Sequence, residues 1–413
     1  MDSTKAFEST APGDECLSAT HVVYSDYDGA AGIAVEWDDL ASRVGSDVYS
    51  TYDWCRVWWE FYGAGRQLMI VLVRKGDRLV SVMPLFHETL FSGGLPLRTV
   101  RIVGCDHTVS TCNVVCESGS ERDAAEALAR ALEETRFPWD VIQLADFPAY
   151  ARDTDVFAKA LGKAFAGCNV TVKAGGEHTF FPLPATFDEY LASLSKKERS
   201  HVRRDERTLA EGHEVVFSVE SSPAALPEAF QEFVDAHQSQ WRARGRLGHF
   251  DDWPRAREFH RNVVAALAKN SRVFIAALKV DGETVAHRYC LRFGRFLHAF
   301  LTGREKDDVL GGVNLVRLSF ARLIGYAIDD KVDTIDAMRG YYDYKLKAGG
   351  TLGRLQSITV RRRGMLSGLR FALARLSGWL INKAYYRLWF IRIAPRIGLG
   401  GRPLWETWIR AIK

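Results

Sequence analysis

The residue types that could do chemistry gather between positions 237 and 345 of a 413-residue chain. His237, His287 and Asp336 are the side chains able to take a proton near neutral pH, and Tyr344 and Lys345 stand close behind the last of them. His237 follows Phe230, Phe233 and Val234 at helical intervals and sits one turn before Trp241. A glycine-containing loop, Gly248–Asp252, comes next, and loops of that kind carry function more often than elements do. A histidine on an apolar helix face is also an ordinary core residue, so both readings of His237 stand. His287 lies in a strand after an Asp281–Gly282 turn, where it could be plain strand. Asp336 closes a short strand, Thr334–Asp336, ahead of an Arg339–Gly340 turn that brings Arg339 beside it. Tyr344 could protonate a leaving group, and Lys345 could hold a phosphate or carboxylate. Tyr341, Tyr342 and Tyr344 capping a core with their hydroxyls outward is the competing reading.

A second kind of chemistry is anion binding. Gly311–Gly312 precedes Val313–Asn314 and a helix on which Leu315, Val316, Leu318, Phe320, Leu323 and Ile324 recur. Two glycines let the backbone turn sharply and approach a ligand, and the first N–H groups of the helix then face outward. Earlier, Lys196–Ala210 reads as a basic helix in which Arg199 and Arg203 are one turn apart and can converge on one anion. The same helix can also be a solvated one with internal Glu/Arg pairs.

The elements that must position these residues are legible in part. Val273–Val280, the Asp281–Gly282 turn and Glu283–Phe293 form a hairpin. Arg295–Thr302 continues as a strand, Gly303–Gly312 is a polar loop, and Ala225–Arg244 is the helix carrying His237 and Trp241. In the first half, Leu68–Arg74 and Arg78–Phe86 form the clearest hairpin, with Pro84 marking a strand edge or bulge. Trp37–Val44, Asp53–Tyr62, Ala124–Leu132 and Thr154–Phe165 read as helices, His21–Ser25 and Asp140–Leu144 as strands. The aromatics of Asp53–Tyr62 have helical spacing and are assigned to packing. Residues 1–20 are polar, unpatterned and expected to be disordered. Gly167, Gly175, Gly176, Pro182 and Pro184 place a domain boundary near residue 180.

Six ordered segments carry a resemblance: LASLSKKERSHVRR at Leu191–Arg204, HQSQW at His237–Trp241, GHFDD at Gly248–Asp252, GETVA at Gly282–Ala286, GGVN at Gly311–Asn314 and DAMRGYYDYK at Asp336–Lys345. Together they resemble the CelD/BcsL-type acetyltransferases of the GNAT superfamily, which pair two GNAT-like halves as FemABX peptidyltransferases do. The resemblance covers roughly residues 20–360. GGVN stands where a fuller Gln/Arg-x-x-Gly-x-Gly/Ala signature would be. The implied fold is α/β: two GNAT-like domains, each a mixed central sheet flanked by helices, at 21–180 and 181–362, followed by basic helices at 363–413. The implied activity is direct transfer of an acyl group from acyl-CoA to an amine or hydroxyl of a small polar acceptor, such as an amino sugar or polysaccharide precursor. The acceptor would enter a cleft between the halves. The resemblance assigns Thr302, Gly303, Gly311, Gly312, Val313 and Asn314 to the cofactor, with a backbone N–H of the strand ending at Thr302 polarising the carbonyl. It assigns Arg199, Arg203, Trp241, Asp252, His287 and Arg339 to the acceptor, and His237, Asp336, Tyr344 and Lys345 to catalysis. The absence of Gly-x-Ser-x-Gly, and of a cysteine with an evident histidine partner, agrees with direct transfer.

Length and composition set the frame. The chain is long enough for two domains, and 47% apolar with 26% charged residues is ordinary for a folded protein. Seven scattered cysteines, with no secretory pattern at the start, point to reduced thiols and a cytoplasmic protein. Cys105, Cys112 and Cys116 lack paired Cys-x-x-Cys spacing, so no metal is expected. From Arg361 onward twelve Lys/Arg face Glu406 alone, a net +11, which leaves −7 for the rest of a chain whose total is +4. Interleaved with Leu, Trp and Phe, this tail fits a helix lying on an anionic membrane at its inner face. A helical pair packed on the acidic body is the alternative, and nucleic acid is not an expected partner. Two other functions stay open: a FemABX-like transferase using aminoacyl-tRNA, and a non-catalytic accessory of a membrane polysaccharide machine.

Overall fold

The computed structural model describes residues 19–91, 93–107, 111–151, 153–303, 309–310, 312–397 and 404–412. The chain divides into two units. One comprises residues up to Gly175 together with Leu355–Lys413, and the other is the continuous stretch Gly176–Arg354. The sequence boundary near 180 falls close to this division. The strand ending at Arg362 and the basic tail, by contrast, were expected in the second domain and beyond it, yet they group with the first unit. Most of the stretch expected to be disordered, and Gly311, lie outside the described residues.

The first unit is built on β1 (Ala19–Tyr24), β2 (Gln67–Lys75), β3 (Arg78–Leu90), β4 (Leu97–Ile102), the short β5 (Val115–Cys116) and β6 (Val141–Phe147). Its helices are α1 (Ala34–Arg43), α2 (Tyr52–Tyr62), α3 (Glu121–Glu134) and α4 (Thr154–Ala164). β1 to β4 are antiparallel neighbours in chain order, and β5 adds to β3. β6 lies parallel to β4, from Thr99↔Val141 to Arg101↔Gln143, so α3 is carried in the crossover. The alanine-rich face of α3 and Phe157 and Leu161 of α4 pack with Val71, Met83, Val100 and Ile142 in one core. Pro84 stands inside β3 opposite Ile70, neither at an edge nor at a bulge. Its carbonyl accepts from Val103 N–H, just past the last β3–β4 pair, where no ladder donor is required of it.

Beyond the parallel pairing of β4, charged side chains fill the space. Glu88, Arg66 and Arg101 are buried, and so is the side chain of Asp106. Arg66 bonds Asp106 at 2.7 Å and ion-pairs with Glu88 at 3.2 Å, while Arg101 bonds Glu88 at 2.8 Å and Asp106 at 3.3 Å. His107 Nδ1 is 2.7 Å from the other Asp106 oxygen, and the Arg66 guanidinium lies over Phe86. Burial pushes against the Asp106 charge, but His107 and the two arginines hold its carboxyl well below the usual range.

The chain leaves along β7 (Cys168–Pro182) and forms the second unit. Its helices are α5 (Phe187–Ser193), α6 (Lys196–Ala210), α7 (Leu226–Arg242), α8 (His249–Asp252), α9 (Ala256–Ala268), α10 (Leu315–Asp329) and α11 (Asp343–Lys347). Its strands are β8 (Val215–Glu220), β9 (Val273–Val280), β10 (Glu283–Phe293), β11 (Phe296–Gly303), the short β12 (Val309–Leu310) and β13 (Val313–Asn314), and β14 (Thr334–Arg339). The sheet order is β7-β14-β11-β10-β9-β8. The β9–β10 hairpin turns at Asp281 (φ 54°) and Gly282 (φ 80°), the left-handed pair a two-residue hairpin requires. β14 runs parallel to β11 and α10 is the crossover between them. Phe181, Leu191, Val202, Phe274, Leu297, Leu323 and Ile335 form the core beneath α5, α6 and α10.

The chain then returns to the first unit. β15 (Thr351–Arg362) pairs antiparallel with β6, from Gln356↔Phe147 to Arg361↔Val141. α12 (Met365–Leu380) follows, its helical path widens over Ile381–Ile393, and α13 (Trp405–Arg410) comes last. Among the described residues no helix is long and apolar enough to cross a membrane.

Candidate active site

The parallel ladder between β11 and β14 runs from Phe296↔Thr334 to His298↔Asp336 and stops there. β11 goes on to Gly303 and β14 to Arg339. Ala299–Thr302 and Ala337–Arg339 then line a cavity of about 810 Å³, lined entirely by residues of the second unit. On its other side β11 carries a bulge: Tyr289 faces Leu301 and Cys290 faces Ala299, leaving Phe300 as the extra residue. A bulged residue takes its backbone groups out of the ladder and re-aims them, here in the cavity wall.

α7 delivers His237 to this wall because Phe230, Phe233 and Val234 bury the same helix face. His237 Nδ1 lies 2.8 Å from the carbonyl of Thr302. A carbonyl only accepts, so Nδ1 carries the proton and Nε2 the lone pair. That lone pair meets His249 Nδ1 at 3.1 Å and the His249 backbone N–H at 3.4 Å. His249 therefore bears its proton on Nδ1, leaving the Nε2 lone pair of a residue that lines the cavity. Burial drives His237 down to about 4 against the raising influence of the Thr302 carbonyl. Burial, then the neighbouring His237, brings His249 to about 4 as well. Both rings are neutral at pH 7.

Two glycines permit this contact. A Cβ on Gly303 would meet His237 N and Phe233 O at 3.1 Å, so β11 lies against α7 closely enough that a side chain there would push the two apart by a few tenths of an ångström. A Cβ on Gly248 would sit 1.9 Å from Gln238 Oε1 and 3.2 Å from the His237 ring, so the loop that brings His249 back lies close against α7 and a larger residue would displace the Gln238 side chain. Trp241 edges the pair, its ring 5.7 Å from His249.

The opposite wall is cationic. Arg288 bonds Thr302 Oγ1 at 3.2 Å and the Val316 carbonyl and Ser319 hydroxyl at 3.0 Å, tying β10 and β11 to α10. Arg317, on the first turn of α10, is held by the buried Asp205 of α6 through Nε at 2.9 Å and a second bond from its other nitrogen. Asn314 caps α10 by accepting from Arg317 N–H at 2.9 Å. Lys345 is buried with its ammonium donating to the Ala337 carbonyl and set 4.8 Å from the centre of the Tyr342 ring. Burial lowers Lys345 to about 8, opposed by the charge of Asp336. Among the described lining residues seven are Lys or Arg, against one carboxylate, Glu198.

Of the residues singled out by sequence, His237, Trp241, Thr302, Asn314, Arg339, Tyr344 and Lys345 come together on this cavity. Gly303 and the buried Val313 stand behind its wall. Gly312 takes a left-handed φ of 84° ahead of the capping Asn314. Asp336 does not line the cavity. It is fully buried and accepts from Met338 N–H at 2.6 Å, with His178 Nδ1 3.4 Å away. Burial works to raise its pKa, but the His178 contact, the His298 charge and the Met338 bond bring it below the ordinary value. Its visible work is to hold Met338, at φ 71°, in the turn at the cavity edge. Arg199 is also occupied elsewhere, bonding the Ala192 carbonyl at 3.2 Å at the end of α5. Arg203 is exposed, Asp252 is half-buried at the end of α8, and His287 is buried in β10 opposite Gly303; none of the three lines the cavity. Sequence reasoning missed His249 and Arg288. The signal for His249 was present in GHFDD, whose glycine makes room for the histidine beside it.

Residues 196–346 match the family described as Acetyltransferase (GNAT) domain, a span that takes in all but four of the residues lining the cavity. The matched span lies within the second unit. Two solved structures share the fold at low identity. The crystal structure of FemX aligns with a TM-score of 0.58 and 14% identity, covering 79% of this chain and 95% of FemX. The C-terminal domain of a putative lysylphosphatidylglycerol synthetase from Agrobacterium fabrum aligns at 0.50 and 11%, covering 85% and 96%. No curated protein matches the sequence significantly.

Proposed function

We propose that this chain transfers an acyl group from acyl-CoA directly to an amine or hydroxyl of a small polar acceptor, with the reaction in the cavity of the second unit. The observation that carries the reading is a neutral histidine pair standing in a cationic cavity where β11 and β14 part, inside the segment that matches the GNAT domain. Acyl-CoA would supply an activated thioester and a polyanionic handle. The residues fit the handle: Arg244, Arg317 and Lys347 line the cavity with positive charge, and Arg317 stands on the first turn of α10.

In this reading His249 Nε2 takes the acceptor's proton, and His237 holds the His249 ring in the right tautomer through the Thr302 carbonyl. The bulge at Phe300 supplies the backbone N–H for the developing oxyanion. Tyr344 returns a proton to the leaving group, Lys345 steadies an anionic group near Tyr342, and Arg339 and Trp241 bound the acceptor. Asp336 acts as a positioning residue through Met338. A CelD/BcsL-type role, an amino-sugar or polysaccharide-precursor acceptor, and a place at the inner membrane face belong to the same proposal, on the resemblance and the basic tail.

Isothermal titration with acetyl-CoA and longer acyl-CoAs tests the donor. Wild type is expected to bind saturably, with a dissociation constant roughly in the micromolar to millimolar range. An Arg244→Glu/Lys347→Glu variant is expected to lose at least about tenfold. A folded wild type that binds no acyl-CoA sinks the proposal. Capture of aminoacyl-tRNA with steep salt dependence would then support the FemABX-like alternative, for which the exposed Arg203, Arg204 and Arg207 of α6 offer a surface. Binding of neither would leave the accessory role.

A further inference from the structure

α12 is packed the wrong way round for a helix that only closes a core. Its buried residues are small: Ser367, Ala374 and Gly378. The fit is close, since a Cβ on Gly93 would come within 2.7 Å of Ala374 N, and one on Gly378 within 2.2 Å of the Ile412 carbonyl. Ala374 joins Leu90, Leu97, Val141 and Ile412 in a small apolar cluster. Ser367 donates to the Asp140 carbonyl and Arg370 bonds the Asp140 carboxylate, which Arg98 also grips. The helix is therefore anchored to the first unit by its narrow side.

The large apolar residues face out. Met365, Leu366, Leu369, Leu376, Trp379 and Leu380 are all exposed, Met365 at 92% and Trp379 at 54%. Met365, Leu369, Leu376 and Leu380 recur at i, i+4, i+11 and i+15, so they form one stripe along the helix. A soluble surface helix normally buries such a stripe. Exposed cations accompany it: Arg363 before the helix, Arg375 on it, and Lys383, Arg387 and Arg392 beyond. Glu406 is the one acidic residue after Arg361. An apolar stripe bordered by long basic side chains matches a bilayer interface carrying negative headgroups, with the stripe among the acyl chains and the cations reaching up to phosphate.

We propose that the outward face of α12 docks the first unit onto an anionic phospholipid bilayer, with the helix lying in the interface. The inference deepens the membrane-face part of the proposed function and rests on it, while the transfer chemistry does not enter.

The test is co-sedimentation of the full chain with phosphatidylglycerol/phosphatidylcholine vesicles and with phosphatidylcholine vesicles. Wild type is expected to partition onto the anionic vesicles and at least roughly tenfold less onto the neutral ones. A Leu369→Glu/Leu376→Glu/Trp379→Glu variant is expected to lose at least about tenfold in anionic partitioning while keeping its melting temperature, because these side chains point away from the body. Its acyl-CoA titration is expected to match wild type, so failure of docking and failure of the donor reading are separable. Three results overturn the proposal. Wild type ignores anionic vesicles, or the variant binds them as well as wild type does, or light scattering finds a wild-type dimer that the variant splits, which assigns the stripe to a second copy of the chain.

Discussion

The two units contain the same motif and use it differently. In each, a parallel pair of strands is joined by a connection that carries a helix: β4 and β6 through α3, β11 and β14 through α10. In each the parallel ladder lasts three residue pairs. At the last pair the first unit places Arg101, and beyond it Asp106, in contact with Arg66, Glu88 and His107, and the space is filled by charge meeting charge. The second unit places Ala299–Thr302 and Ala337–Arg339 there, and the space stays open as a cavity. The contrast teaches that parting strands do not make a site by themselves. What the parting strands carry decides whether the gap becomes a plug or a pocket.

The comparison breaks most visibly if the plug is not structural. Asp106→Ala leaves two buried arginines short of a carboxylate, so urea unfolding of this variant is expected to show a loss of about 3–5 kcal/mol. Acyl-CoA titration of the folded fraction should stay at the wild-type value. If stability holds and donor binding falls, the first unit has a ligand role and the contrast fails.

In the pocket, His249→Ala is expected to lower kcat of acyl transfer by about 10²–10⁴ while leaving donor affinity within about twofold, as removal of a general base does. A loss confined to KM would move the base elsewhere.

Acid should also separate the units. His237 and His249 have folded-state values of about 4, and the fully buried His260 about 3, all below the ordinary value near 6.5. Between these limits the unfolded chain binds more protons than the folded one. The stability contribution is therefore complete above about pH 6.5 and lost as pH falls toward 4. A scan of melting temperature against pH is expected to fall by at least about 5 °C across that window, and His260→Phe should flatten it.

The smallest expected effect is Gly303→Ala. Its methyl would press on His237 N and Phe233 O, moving β11 off α7 by a few tenths of an ångström. A stability cost of roughly 1–2 kcal/mol and a fall in kcat of about tenfold are expected. An unaffected kcat would show that the Thr302–His237 bond does not set the base.

Much of this was readable in the sequence. The Asp281–Gly282 hairpin, the helix carrying His237 and the helix after Asn314 are local features, fixed by turn chemistry and by apolar spacing over a few residues. The placement of β15 was not readable, because its partner β6 lies some two hundred residues earlier and pairing at that range leaves no local mark. Arg199 and Asp336 looked like site residues because basic spacing and a strand end are compatible with binding. Contacts made in three dimensions, to the Ala192 carbonyl and the Met338 amide, turned them to other work. His249 was missed for the converse reason: a histidine in a short loop gains its meaning only when Gly248 lets the loop fold back onto α7.

The return of the chain to the first unit has a consequence for synthesis on the ribosome. Until residues 355–362 emerge, β6 has no neighbour on one side and presents an open strand edge. At about 5–20 residues per second the intervening stretch takes on the order of ten to forty seconds to translate. The second unit, continuous in sequence, emerges in that interval while the first waits for its last strand. A ribosome stalled just after Arg354 would thus carry a first unit with an exposed edge open to wrong pairing. The unit with which the chain opens cannot close its sheet until the second unit has been made.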